Sequence, residues 1–261
     1  MGALSRRALV RGLMGSGVLA AARRAVAAPE DFVVAQAGAA PLILTAPHGG
    51  TAMAGLPQRR RGTQTRDEHT LEIALAVASR LRALGVPAYL VAARFSRKAI
   101  DANRAPEEAF DDASARPLYR AYHARIEGFV AEMRARFPGG ALLVDLHGEG
   151  ADPQAVFRGT RNGATVRRLL ARHGVGALCG PDSILGALQA AGLAIVPPNT
   201  PPGTPAEDAR YRGGYTVATY SREPDGIDAL QLELGMALRA SPAFGDQLAD
   251  ALARFTRAYL L

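Results

Sequence analysis

Two histidines and a glutamate in this sequence stand where chemistry is commonly done. His48 follows the apolar run Leu42-Ile43-Leu44-Thr45-Ala46 after a single proline. His147 stands in Asp145-Leu146-His147-Gly148, directly after Ala141-Leu142-Leu143-Val144, and Glu233 stands in Leu230-Gln231-Leu232-Glu233-Leu234. Two neutral imidazoles and one carboxylate, with a fourth position open, form the donor set of a catalytic zinc ion. Such an ion acidifies a water molecule and polarises a carbonyl. The carboxylate ligand is expected from Thr65-Arg66-Asp67-Glu68-His69. There Thr65 and Glu68 have the spacing of a capping box, which assigns Glu68 to a helix end and leaves Asp67 as the ligand. The alternative is His69 with Glu72, a His-x-x-Glu pair, although Glu72 would then lie inside a helix and away from a strand end. Arg212-Gly213-Gly214-Tyr215 reads as a flexible loop over the site. Arg212 would meet the substrate, and Tyr215 would either donate to it or pack.

The elements that would position these residues alternate. Apolar runs predict buried strands at 42–46, 86–91, 141–144, 194–196, 216–220 and 229–234, and helical spacing predicts helices at 70–84, 117–136 and 243–259. Gly85 and Pro138-Gly139-Gly140 close the first two helices. Strands alternating with helices predict an α/β fold: one domain with a mostly parallel or mixed central sheet and helices on both faces. In such sheets chemistry gathers beyond the carboxyl ends of the strands, where His48 and His147 fall. His173, before Gly174, reads as a contact at a helix C-terminus.

Composition narrows the function classes. The formal charge is +7, but five arginines (Arg6, Arg7, Arg11, Arg23 and Arg24) lie in the first 28 residues. Removing those five from 31 basic residues leaves 26 against 24 acidic ones, so a basic footprint for nucleic acid is absent. Lys98 is the only lysine, a bias that reads as genome composition. A lone cysteine, Cys179, excludes an internal disulfide and a cysteine-rich zinc site. No Gly-x-Ser-x-Gly elbow is present for a serine mechanism.

The N-terminus has the layout of an export signal. Arg6-Arg7 precede a Gly/Ala-rich apolar stretch from Gly12 to Ala22, and Ala25-Val26-Ala27 offers a cleavage site. The paired arginines point to the twin-arginine export machinery as a partner and to a periplasmic or secreted product. The apolar run is shorter than the roughly 18–20 residues of a membrane span, so no stable membrane anchor is expected. The expected organisation is a signal peptide over 1–28 and a catalytic domain over 29–261.

Six segments then make a resemblance explicit: Pro47-His48-Gly49-Gly50, the Asp67 segment, Asp101-Ala102-Asn103-Arg104, Asp145-Leu146-His147-Gly148, Arg212-Gly213-Gly214-Tyr215-Thr216 and Leu230-Gln231-Leu232-Glu233-Leu234. In that order and wording the chain resembles the N-formylglutamate amidohydrolase family, whose fold is similar to that of zinc carboxypeptidases and aspartoacylases. The resemblance implies one zinc ion per chain on His48 and His147, with Asp67 completing the set from the reading above. It implies Glu233 as the general base that moves a proton from the attacking water to the leaving amine. It further implies Asn103 and Arg104 as the grip on a substrate carboxylate, with Arg104 counted beside Glu233 in the reacting set and oriented by Asp101. His123, in the pair Tyr122-His123, is expected to pack or support. The turn after His48 reads Gly-Gly where the family more usually has Ser-Gly. The expected substrate is a small carboxylate-bearing amide of the N-formyl- or N-acyl-amino acid type. A periplasmic metallopeptidase or cell-wall amidase on the same scaffold is the alternative, with a catalytically silent carboxylate-binding protein behind it.

Overall fold

The computed structural model describes residues 28–200 and 206–261. The export signal expected over 1–28 thus lies, apart from Ala28, outside the described residues. Seven strands form one sheet: β1 (Val33–Gln36), β2 (Leu42–Ala46), β3 (Tyr89–Ala93), β4 (Leu142–Gly148), β5 (Ala155–Gly159), β6 (Ala194–Val196) and β7 (Asp228–Leu234). Their order is β1-β3-β2-β4-β7-β5-β6. The central four, β3, β2, β4 and β7, run parallel, while β1 is antiparallel to β3 and β5 antiparallel to β7. The sheet is therefore mixed, one of the two forms expected.

Period-two alternation divides core from chemistry. Leu42, Leu44, Leu142, Val144, Leu146, Leu230, Leu232 and Leu234 join one apolar cluster. On that side lie α1 (Thr70–Ala83) and the C-terminal helix, which pack on each other. The alternate residues Ile43, Leu143 and Ala229 belong to a second cluster beneath α2 (Arg116–Arg136). Thr45, Asp145, His147, Gln231 and Glu233 share the parity of that second set, so they project from the same sheet face near its carboxyl edge. His147 and Glu233 are direct partners across β4 and β7.

Three sequence expectations are corrected. Residues 216–220 are not a strand but part of the short helix α3 (Tyr215–Tyr220). Its β-branched and aromatic residues favour a strand locally. However, the buried positions Thr216, Val217 and Tyr220 lie on one helical face, and burial decides. The capping box does not form: His69 is the N-cap of α1, in the left-handed region at φ 65°, and makes no side-chain cap bond. Thr70 instead bonds back to the Asp67 carbonyl through its amide and its hydroxyl, at 3.2 and 2.7 Å. The strand expected over 86–91 is displaced to Tyr89–Ala93. Strands β1 and β5 have no counterpart among the apolar runs of the sequence. In β5 the buried Arg158 interrupts the apolar pattern; it is neutralised by Glu207 at 3.0 Å. The C-terminal helix, α4 (Pro242–Tyr259), begins one residue before its expected start. No helix among the described residues is long and apolar enough to cross a membrane.

Candidate active site

His48 leaves the end of β2 on a turn wedged between two elements. A side chain at Gly49 would collide with the backbone of Leu71, and one at Gly50 with the backbone of Arg94. The glycines therefore let the turn pass between α1 and the end of β3. This close approach brings the imidazole against β4 and the segment before α1.

Three atoms meet there. His48 Nδ1 lies 3.1 Å from His147 Nδ1 and 3.2 Å from Asp67 Oδ2, and His147 Nδ1 lies 3.3 Å from that same oxygen. All three residues are buried. Each ring is held from behind: His48 Nε2 donates to Asp101 Oδ1 at 2.7 Å and His147 Nε2 to Asp145 Oδ2 at 2.8 Å. With the protons fixed on the outer nitrogens, both Nδ1 lone pairs face each other and a carboxylate oxygen. Such a cluster is repulsive without a cation at its centre. Donors about 2.0–2.1 Å from one tetrahedral ion stand about 3.3 Å apart, which matches this triangle. The carboxylate–imidazole pairs are the outer support that metal-binding histidines commonly have. The residues present fit a divalent metal.

The electrostatics agree. Burial pushes the Asp67 carboxyl up, but the charges and hydrogen bonds of His48 and His147 outweigh it and hold it below the ordinary range. Asp101 is likewise held low against the effect of burial, by His48, Arg97 and Arg59. His147 is raised despite burial, chiefly by Asp145. The centre therefore favours positive charge. Arg97 joins the parts, bonding Asp67 Oδ1 at 3.0 Å and Asp101 Oδ2 at 3.3 Å. Glu233 lies beside the triangle. Burial pushes its carboxyl up to about 7, and Gln231 Nε2 donates to its Oε1 at 2.9 Å.

The triangle opens on a cavity of about 470 Å³ with His48, Asp67, His147 and Glu233 in its wall. Asn103, Arg97, Arg104, Arg161, Arg210 and Arg212 also line it. Arg210 pairs with Asp208, whereas Arg104, Arg161 and Arg212 are exposed and form no ion pair with another described residue. Three guanidinium groups beside a buried carboxylate make a receptor for an anion, and planar forks suit a carboxylate.

The loop that carries Arg210 and Arg212 is pinned rather than free, contrary to the flexible loop expected. Glu207 accepts from Arg158 Nε, the Thr160 amide and hydroxyl, and the Asn162 amide, at 2.5–3.0 Å. The Arg161 amide donates to the Arg212 carbonyl at 2.7 Å, and the Gly214 amide to Gln231 Oε1 at 2.8 Å. Gln231 thus links this loop to Glu233.

Asn103 reaches the cavity, but its Oδ1 accepts from the Thr216 amide at 2.8 Å and its Nδ2 lies 3.3 Å from His147 Nε2. Asp101 does not orient the Arg104 side chain, because its carboxylate is taken by His48, Arg97 and Arg59. Tyr215 is not part of the cavity wall. It packs edge-on to His123 at 5.8 Å. His123 is buried, with Nε2 donating to the Ala102 carbonyl at 3.1 Å and Nδ1 accepting from the Tyr220 hydroxyl at 2.7 Å. It supports the 101–104 loop. Glu68, His69 and Glu72 are exposed and outside the triangle. His173 ends its helix and packs against Tyr259. Asp145, Gln231, Arg97 and Arg161 received no role from the sequence. For the first two a signal existed: a polar residue two positions from His147 or Glu233 in an apolar strand must share its face. No spacing pointed to the two arginines.

Comparison with known proteins meets this geometry from another side. The model of the N-formylglutamate amidohydrolase family matches residues 112–239, which include β4, β5 and β7. The structure of N-formylglutamate amidohydrolase from Ralstonia eutropha JMP134 aligns with a TM-score of 0.58 at 17% identity, over 87% of this chain and 98% of that one. The gene product Atu2144 from Agrobacterium tumefaciens aligns with a TM-score of 0.59 at 19% identity, over 87% and 94%. These likenesses establish the fold. Comparison with curated protein sequences returns no match. Over residues 112–239 the chain matches the N-formylglutamate amidohydrolase family, a family of amidohydrolases.

Proposed function

We propose that the chain is an exported zinc-dependent hydrolase that cleaves the amide bond of a small carboxylate-bearing substrate of the N-formyl- or N-acyl-amino acid type. The observation that carries this reading is the triangle of His48 Nδ1, His147 Nδ1 and Asp67 Oδ2 beside the half-buried Glu233, facing an arginine-lined cavity.

His48, Asp67 and His147 would hold the ion, which when bound supplies Lewis-acid activation of water and of the amide carbonyl. The other roles belong to the chain. Arg104, Arg161 and Arg212 receive the substrate carboxylate and fix the amide relative to Glu233. Glu233, with its carboxyl near 7, is suited to take a proton from the attacking water near neutral pH and return it to the departing nitrogen. Gln231 sets the rotation of that carboxylate. Export through the twin-arginine route is part of the proposal and rests on the arrangement of residues 1–28.

Elemental analysis of wild type beside His147→Ala tests the centre, with hydrolysis of N-formyl-L-glutamate and longer N-acyl-glutamates as the activity. About one zinc per chain in the wild type, lost in the variant together with turnover, is the expected result. A wild type that stays metal-free and inactive after zinc is supplied would overturn the reading. N-terminal sequencing of exported material should find a start near Ala28, and recovery of Met1 would remove the export proposal.

A further inference from the structure

We propose that the acyl half of the substrate is apolar and larger than a formyl group, and that it occupies a second cavity that adjoins the arginine-lined one at Asp67. This rests on the amidohydrolase reading above and narrows its substrate class. The second cavity measures about 750 Å³. It meets the arginine-lined one along Thr63, Asp67, Arg97 and Gly148, which line both. Asp67, one corner of the ligand triangle, therefore stands at the junction of two compartments, while His48 and His147 face the arginine-lined one.

The compartments differ in chemistry. The arginine-lined cavity presents mainly polar surface, whereas the second presents mainly carbon. Met53 and Met236 contribute to the latter, and Met236 is 51% exposed, one of three large hydrophobic residues so exposed among the described residues. Two of the charged groups in that wall are already engaged. Arg239 donates to the carbonyls of Glu68, Glu149 and Leu234, and the Glu149 carboxylate accepts from the amides of Ala151 and Asp152.

Substrate geometry links the two. A secondary amide is planar and trans, so its halves leave the scissile bond in opposite directions. If the arginines hold the carboxylate of the amine half, the acyl half points away from them, toward the second cavity. A formyl group, one carbon and its oxygen, would end at the ligand triangle and leave that cavity unused. A linear acyl chain would cover Met53 and Met236.

Binding and turnover separate this inference from the reading beneath it. Zinc-loaded Glu233→Gln protein, which should bind without hydrolysing, is titrated calorimetrically with N-acetyl-L-glutamate and N-octanoyl-L-glutamate. The octanoyl compound is expected to bind about tenfold tighter or better. Adding Gly150→Trp should remove that preference and leave the acetyl affinity unchanged. Gly150 borders the cavity, and a side-chain carbon there meets no atom within 4 Å, so the substitution is compatible with the fold. Met236→Trp serves as a second obstruction at an exposed position. Equal affinities, or a preference that survives both tryptophans, would overturn the inference. Wild-type turnover decides the other question. Tight, tryptophan-sensitive binding with no hydrolysis of either compound would retain the cavity assignment and overturn the amidohydrolase substrate reading. Hydrolysis of the acetyl compound with no octanoyl preference in binding would do the reverse.

Discussion

Lowering the pH from 7 to 5 should destabilise this protein by about 2 kcal/mol through one side chain, His123. The ring is buried; its Nε2 proton is given to the Ala102 carbonyl and its Nδ1 accepts from Tyr220. Protonating Nδ1 would charge a desolvated ring and oppose the Tyr220 hydroxyl. Burial accordingly lowers its pKa from 6.5 to about 4, against smaller opposing effects of the Ala102 carbonyl and Asp145. A histidine with a depressed folded pKa contributes its stability fully above the unfolded value, and loses it as pH falls toward the folded one. Between those values the unfolded chain binds the extra proton. At about 1.4 kcal/mol per tenfold change in proton affinity, the total is about 3 kcal/mol, of which about 2 is lost by pH 5. Urea unfolding of wild type and His123→Gln at both pH values isolates it, because titrations common to both proteins cancel. The stability advantage of wild type over the variant should shrink by about 2 kcal/mol. A gap that does not move with pH would refute the assignment of a neutral, doubly bonded His123.

Three further outcomes are expected. Glu233→Gln should reduce kcat by roughly 10²–10⁴-fold while elemental analysis still finds the metal, since the side chain lies outside the ligand triangle; unchanged kcat would remove it as the base. Asp101→Asn and Asp145→Asn should each weaken metal affinity by about 10–100-fold, read by competition with a chelating dye, because each carboxylate fixes the outer nitrogen of one histidine. Arg212→Ala and Arg104→Ala should raise KM for a carboxylate substrate by roughly tenfold or more without loss of metal, in line with about 1.5–3 kcal/mol for a charge-assisted hydrogen bond. A KM that stays put would place the carboxylate elsewhere.

The parts of the site legible in the sequence were those governed by local periodicity. Leu-Gln-Leu-Glu-Leu and Leu-Val-Asp-Leu-His announce buried strands with polar residues on alternate positions, and His48 follows a fully buried run closed by a proline. Such patterns depend only on neighbours one or two residues away. Less legible was whatever depended on distant partners. The capping-box spacing of Thr65 and Glu68 was a local pattern overridden when Thr70 bonded to the Asp67 carbonyl, an arrangement that also holds Asp67 inward. Arg97 gives no sequence signal, because its importance comes from joining Asp67 and Asp101, which are brought together only by the fold. Tyr-Thr-Val-Ala-Thr-Tyr looks like a strand until the Asn103 side chain receives the Thr216 amide at the start of a helix. Arg158 hid β5 because a buried arginine is tolerable only with a carboxylate 49 residues away.

The alternation in β7 has a consequence for how this gene can change. Leu230, Leu232 and Leu234 pack into one core, while Gln231 and Glu233 point to the other face, with Glu233 opposite His147. Deleting a single residue before Leu230 would turn the strand over. The glutamate would enter the leucine core, and a leucine would take its place beside the ligand triangle. Point substitutions can erode this protein gradually, but a one-residue length change here would remove the proposed base and disrupt the core in one event. Length variation should therefore be tolerated only in the surface connections, and β7 should keep its length wherever the activity is kept.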